Sequence, residues 1–321
     1  MINIGIIGGA GYTAGELLRL LVNHPQAHLE FVQSSSHAGV PVADVHLDLT
    51  GETELVFVKR MPTTPDLLFI CSGHGRSRSF LEKHALPPKV KVIDLSSDFR
   101  LKAKADGFIY GLPELNRKRI LRAKKIANPG CFATAIQLAL LPLARQGLLA
   151  GDVHINAITG STGAGQHPTP TSHFSWRNNN VSIYKPFSHQ HLFEIQESLQ
   201  ALQPMFANDL HFLPVRGNFS KGIYASLYTN CELSQEQATS LYHDFYQSHP
   251  FVRITAQNPS LKQVINTNNC HLFLEKHGDK LLIISLIDNL IKGASGQAVQ
   301  NMNLLFGLDE CMGLRLKASA F

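Results

Sequence analysis

Apolar residues fall along this chain in two regimes. Over the first 130 positions they come as short continuous runs, Ile2–Ile7, Leu29–Gln33, Asp66–Cys71 and Val90–Leu95, each followed by small or polar residues. Such runs read as strands buried on both faces. Between them lie helical stretches, Glu16–Asn23 with Leu17, Leu18, Leu20 and Leu21, and Ser77–His84. Strands alternating with helices predict a doubly wound parallel sheet whose ligand lies off the strands' carboxyl ends.

Beyond residue 130 the pattern changes. The turn Asn128-Pro129-Gly130-Cys131 is followed by a long apolar run, Ala135–Leu149, which predicts a helix carrying Cys131 in its first turn. Strands are expected at His154–Ile158, Leu210–Val215, Gly222–Leu233, Phe251–Thr255, Val264–Thr267, Cys270–Lys276 and Leu281–Leu286. Helices are expected up to about Gln203, from Ser234 through a capping box, and from Asp288 to about Phe306. Alternation such as His271-Leu272-Phe273-Leu274-Glu275 marks a mostly antiparallel sheet with one exposed face and helices on the other. Residues Gln166–Asn180 are expected to be irregular and exposed.

A chain of 321 residues is long enough for two cores. The net charge of +5 is dispersed apart from Arg117-Lys118-Arg119 and Lys124-Lys125, which read as a solvated face rather than a nucleic-acid footprint. No signal-peptide pattern opens the chain and no apolar run of about twenty residues occurs, so a cytoplasmic protein without membrane contact is expected. The five cysteines are widely spaced and form no Cys-x-x-Cys pair, which argues against a disulfide framework and against zinc. Cys71, in a predicted strand, reads as a buried and inert thiol.

Two features carry chemistry. The loop Gly8-Gly9-Ala10-Gly11-Tyr12-Thr13 between the first strand and first helix has the spacing at which bare backbone and a helix N-terminus meet a pyrophosphate. Ser34 and Ser36, at the end of the second strand, stand where an NAD enzyme usually has a carboxylate, and favour NADP. Ser72, His74 and Ser97, in loops after later strands, join Gly8, Gly11, Tyr12 and Thr13 as candidate cofactor contacts. The second feature is Cys131, because the positive end of a helix favours a thiolate. His189-x-His191-x-x-Glu194 is a poor metal site, but it can hold one imidazole in a chosen tautomer.

The motifs Gly8-Gly9-Ala10-Gly11-Tyr12, Asp94-Leu95-Ser96-Ser97-Asp98-Phe99-Arg100, Asn128-Pro129-Gly130-Cys131, Ser161-x-Gly163-Ala164-Gly165, His189-x-His191-x-x-Glu194-Ile195 and Asp288-Asn289-Leu290-x-Lys292-Gly293 occur in order over nearly the whole chain. Together they resemble the N-acetyl-gamma-glutamyl-phosphate reductase family of arginine biosynthesis. The resemblance implies an α/β protein: a Rossmann-type dinucleotide-binding domain plus an α+β catalytic and dimerisation domain with a mostly antiparallel sheet. Residues 1–130, completed by a C-terminal helix at about 290–321, would form the first, and 131–289 the second. It further implies NADPH-dependent reductive dephosphorylation of an acyl phosphate through a Cys131 thioester, in a homodimer or homotetramer.

By the same likeness His189 is the acid/base, with Glu194 as its partner and His191 as the rival. Gly163, Asn289 and Lys292 would reach the cofactor. Arg100, Asn128, Ser161, Tyr184, His191 and Lys221 would contact the substrate, Lys221 replacing an arginine common in the family and losing its bidentate fork. The acyl cap stays open among acetyl, succinyl and a carrier-bound aminoadipyl group. A non-catalytic NADP-sensing regulator is the alternative of another class.

Overall fold

The computed structural model describes residues 1–319. Two units divide the chain, Met1–Gly130 with Ala294–Arg315, and Cys131–Gly293 with the last described residues from Leu316. The first contains β1 (Ile2–Ile7), α1 (Tyr12–Leu21), β2 (Ala27–Gln33), α2 (Val42–Val45), β3 (Phe57–Val58), β4 (Leu67–Ile70), α3 (Ser77–Lys83), β5 (Lys91–Asp94), β6 (Ile109–Tyr110), α4 (Pro113–Ile120) and β7 (Lys125–Ala127). Among the described residues these strands form a seven-stranded sheet in the order β3-β2-β1-β4-β5-β7-β6, paired in parallel throughout. The helix Gly296–Leu305 packs on α1 and α4 in this unit. The order reverses between β1 and β4, the switch point at which such sheets bind ligands beyond their carboxyl ends.

Sequence pattern located the long strands because both faces are buried, as with the fully enclosed Ile4, Ile6, Leu68 and Ile70. It missed β3 and β6, which at two residues show no period. It also missed α4, whose Asn116-Arg117-Lys118-Arg119 stretch hides the apolar contacts of Pro113 and Ile120. Helix α1 begins at Tyr12, earlier than its leucines suggest, because Gly11 is the N-cap.

The second unit comprises α5 (Cys131–Arg145), β8 (Val153–Thr159), α6 (Phe174–Arg177), β9 (Ser182–Ile183), α7 (His191–Leu202), β10 (Leu210–Arg216), β11 (Ile223–Asn230), α8 (Gln235–Tyr246), β12 (Val252–Ile254), β13 (Cys270–His277) and β14 (Lys280–Ile287). Its sheet runs β12-β13-β14-β11-β8-β10-β9. The pairs are antiparallel except β8 with β10 and β12 with β13, so the sheet is mixed. Helix α5 packs on β11 and β14 and carries α7 beside it.

The strand expected at Val264–Thr267 does not form. Leu261–Gln263 is a short 3₁₀ helix, Asn266 takes a left-handed φ of 64°, and the Thr267 hydroxyl donates to the Val264 carbonyl, which closes a turn instead. Residues Gln166–Asn180 include a 3₁₀ turn at Pro170–Ser172 and α6, and they are not wholly exposed. Arg177 is buried, donating to the carbonyls of Thr171, Asn180 and Arg216 and to the Ser182 hydroxyl.

Pro142 lies inside α5 and has no N–H to give the carbonyl of Leu138, four residues back. The Tyr246 hydroxyl of α8 donates to that carbonyl, and Tyr242 donates to the next one, Ala139. A proline that would leave a buried acceptor unpaired is thus matched by a tyrosine from another helix. Tyr246→Phe is expected to cost about 1–3 kcal/mol in urea unfolding. In a Pro142→Ala background, where a backbone N–H returns to Leu138, the cost should shrink, a coupling that a double-mutant cycle measures directly.

Candidate active site

In the first unit the glycine loop is fixed by its backbone. Gly8 and Gly9 donate to the Gln33 carbonyl at 3.0 and 2.8 Å. Gly8 has φ +77°, and a Cβ there would lie 2.7 Å from the Ser72 Cα, so only glycine fits. Around Gly11 a Cβ would meet nothing within 4 Å, and no side chain caps α1. The first-turn N–H groups of α1 therefore face open space, as a pyrophosphate cradle requires. Close packing falls on Gly15 rather than Ala14, since a Cβ at Gly15 would come within 2.7 Å of the His46 ring, whose Nε2 donates to the Gly9 carbonyl at 2.8 Å. His46 was not foreseen, because nothing local in sequence links it to the loop.

At the end of β2, the Ser36 hydroxyl lies 2.9 Å from His37 Nδ1 and 3.4 Å from the Ser34 hydroxyl, a cluster of hydroxyls and imidazole. His74 Nδ1 accepts from the Ser97 backbone N–H at 3.1 Å, so it ties two loops together. Asp98 caps the start of α3 by accepting from Gly75 and Arg78. Burial, and then Asp94, push the Cys71 thiol up, in keeping with an inert residue. Arg100 and Asn128, expected at substrate, are buried and act as scaffold: Arg100 donates to the carbonyls of Asn128 and Leu95, and Asn128 donates to Ala294 and accepts from Asn301.

In the second unit Cys131 is the first residue of the fifteen-residue α5. Gly293 lies against it, such that a Cβ at 293 would come within 2.8 Å of the cysteine Cβ. Gly293 sits in a single π-helical turn, Ile291–Ser295. Asp288, fully buried, caps that turn by accepting from Leu290 and Ile291, and it also accepts from Asn266.

His189 is buried next to Phe132, the residue after the cysteine, with ring centroids 5.4 Å apart. Its Nδ1 accepts from the His191 backbone N–H at 3.2 Å. A neutral His189 therefore carries its proton on Nε2. Burial, and then the charge of Lys185, push its pKa down to about 4. Just before it the chain is strained: Lys185 and Phe187 hold φ of 44° and 55°.

Glu194, which the resemblance makes an orienting or substrate-binding partner of His189, stands beside His191. Its Oε1 lies 3.9 Å from His191 Nε2, and a backbone amide fixes the His189 ring. The rings of the two histidines stand 4.5 Å apart, so His191 and Glu194 form the wall behind His189.

Tyr184 packs edge-on to His189 at 5.9 Å. Burial, and then the charge on Cys131, raise its hydroxyl pKa, so it stays a neutral donor. Its other neighbour was missed by sequence reasoning: the Arg216 guanidinium stacks 4.6 Å over the Tyr184 ring. An arginine ending a strand carries no local mark of such a role.

The remaining candidates build the frame. Ser161 donates its backbone N–H to Phe219, and a Cβ at neighbouring Gly160 would strike the Ser220 carbonyl at 2.3 Å. Gly163 lies beneath Thr159 and Asn289. Asn289, expected at cofactor, accepts from the Gly222 N–H at 2.6 Å and donates to Thr162, pinning two loops of this unit. Lys292, also expected at cofactor, is fully buried, with its ammonium 5.7 Å from the Phe251 ring centre. Lys221 turns its Nζ to Asn266 at 3.4 Å.

A cysteine in the first turn of a helix whose next residue, Phe132, meets a buried imidazole, and, in the other unit, a glycine loop opening a helix on a parallel sheet, are features of a dehydrogenase with a dinucleotide fold. Residues 3–123 match the NAD binding domain, and 131–289 the dimerisation domain, of semialdehyde dehydrogenase, and the chain belongs to that family. A protein of Parabacteroides distasonis called N-acetyl-gamma-glutamyl-phosphate reductase is 60% identical over 322 residues, the whole of both chains. One of the same name from Christiangramia forsetii is 54% identical over 321 residues, again the whole of both. Among solved structures, aspartate semialdehyde dehydrogenase II of Vibrio cholerae superposes with a TM-score of 0.75 at 16% identity, covering 96% of this chain and 98% of its own, which speaks for the fold alone.

The pKa of His189 sets a pH window. Because it lies below the ordinary 6.5, the stability gained from a neutral ring is complete above that value and is lost as pH falls toward 4. Thermal melts between pH 7 and 4 should show wild type losing more stability than His189→Asn. Parallel losses would contradict this assignment.

Proposed function

We propose that this chain reduces an N-acyl-gamma-glutamyl phosphate to the corresponding semialdehyde and phosphate with NADPH, the acetyl cap being the substrate form named in its relatives. The observation that carries the proposal is Cys131 at the start of α5, with His189 held by its backbone bond as an Nε2–H donor. The Cys131 thiolate attacks the acyl carbon. The C–O bond to phosphate breaks, phosphate leaves with that electron pair, and a thioester remains. A nicotinamide dinucleotide, held by the glycine loop, would supply the two electrons and hydrogen as hydride to the thioester carbon. The resulting alkoxide re-forms C=O and expels the thiolate, which restores Cys131. Both tetrahedral stages carry an oxyanion, for which the His189 Nε2–H and the N–H groups at the start of α5 are the donors, one such donor being worth about 3 kcal/mol. Tyr184, neutral and adjacent, is a second hydroxyl donor to bound substrate.

The preference for NADPH over NADH rests on Ser34, Ser36 and His37, hydrogen-bonding groups without a carboxylate at the end of β2. For the cofactor, Gly8, Gly11, Tyr12 and Thr13 would hold the pyrophosphate, and the serines the 2′-phosphate. Self-association, as a homodimer or homotetramer, suits the family's dimerisation domain. Among the described residues no helix is long and apolar enough to cross a membrane, and the wide spacing of the five cysteines, without a Cys-x-x-Cys pair, suits a reducing, cytoplasmic setting.

Cys131→Ser should lower phosphate-dependent oxidation of N-acetylglutamate semialdehyde at least on the order of a thousandfold while NADPH binding, read by fluorescence, persists. Full activity in that variant would overturn the thioester route. A substrate panel with acetyl, succinyl and aminoadipyl forms fixes the cap. Ser36→Asp should reduce kcat/KM for NADPH and spare NADH, since a carboxylate repels the 2′-phosphate. An unchanged ratio would remove the serines from the cofactor site.

A further inference from the structure

We propose that Arg216 holds the α-carboxylate of the amino-acyl substrate and so selects amino-acid-derived acyl phosphates, an assignment that rests on the reductase reading above. Arg216 ends β10, and its guanidinium is stacked 4.6 Å over the Tyr184 ring. Tyr184 in turn meets His189 edge-on and interacts electrostatically with Cys131, so the guanidinium belongs to the cysteine's surroundings. Among the described residues, its Nε is shielded from solvent and has no hydrogen-bond partner. A second guanidinium, Arg177, donates to the Arg216 carbonyl at 2.7 Å, and no carboxylate pairs with either among the described residues. Two neighbouring cations without a carboxylate partner among the described residues, each over an aromatic ring, form a place for an anion.

The substrate brings two anions. Phosphate is bonded through oxygen to the carbon that Cys131 attacks, whereas the carboxylate carbon is separated from that carbon by three others. Arg216 reaches the cluster through Tyr184 rather than directly, and Lys221 turns to Asn266, so the farther anion is the one Arg216 fits. The Tyr184 ring fixes the guanidinium plane before substrate arrives. Less side-chain freedom is then lost on binding.

The test runs the reaction from semialdehyde, phosphate and NADP on the full-length protein, varying semialdehyde and phosphate separately. In Arg216→Gln, KM for N-acetylglutamate semialdehyde should rise roughly ten- to hundredfold, more than kcat falls, with KM for phosphate little changed. Arg216→Lys should recover part of the loss. A second substrate, 4-acetamidobutanal, is the semialdehyde without its carboxylate: wild type should discriminate against it, and Arg216→Gln should no longer do so. Loss of folding alone would lower the melting temperature without abolishing that discrimination. A rise confined to the phosphate KM, retained discrimination in Arg216→Gln, or a wild type indifferent to the missing carboxylate would each overturn the assignment, the last without any variant. Wild-type protein that turns over neither aldehyde would overturn the reductase reading itself and this inference with it.

Discussion

The arrangement around Cys131 depends on one buried carboxylate. Asp288 is fully enclosed and accepts from the backbone of Asn266, Leu290 and Ile291, so its desolvation is offset by three N–H donors. Those bonds wind residues 291–295 into a π turn, which brings Gly293 within side-chain distance of the cysteine. The neighbouring Asn289 extends the same design by bonding Gly222 and Thr162. Asp288 and Asn289, which belong to one motif, thus hold three stretches of backbone around the start of α5.

A second constraint acts on His189. Strained backbone at Lys185 and Phe187 delivers the imidazole to the ring of Phe132, and one backbone N–H chooses its tautomer. Burial, and then the charge of Lys185, push its pKa down to about 4, so near neutral pH the ring is uncharged with its proton on Nε2. Glu194 and His191 are then a supporting wall rather than a relay. The orienting contact is one that side-chain identity does not record.

Much of the fold was legible because burial on both faces of the first sheet and on one face of the second writes its period into the sequence. Cys131, the glycine loop and His189 stand out as candidates in the sequence because each is an uncommon residue type at a helix start or tight turn. Val264–Thr267 misled because its apolar residues serve a turn closed by a hydroxyl and a left-handed asparagine. Arg216, His46 and Gly293 were not legible, since each matters through a partner distant in sequence: Tyr184, Gly9 and Cys131. Arg100, Asn128, Asn289 and Lys292 look the same in sequence whether they point at a ligand or into the protein.

The proline in the cysteine helix carries a consequence for how this chain can change over generations. Pro142 and the Tyr246 hydroxyl answer one another across two helices that are remote in sequence. A lineage that loses the proline first makes the hydroxyl dispensable and can then lose it at little cost. A lineage that loses the hydroxyl first strands a buried carbonyl and passes through a weakened protein. The physics of one missing N–H thus gives direction to an otherwise reversible pair of substitutions.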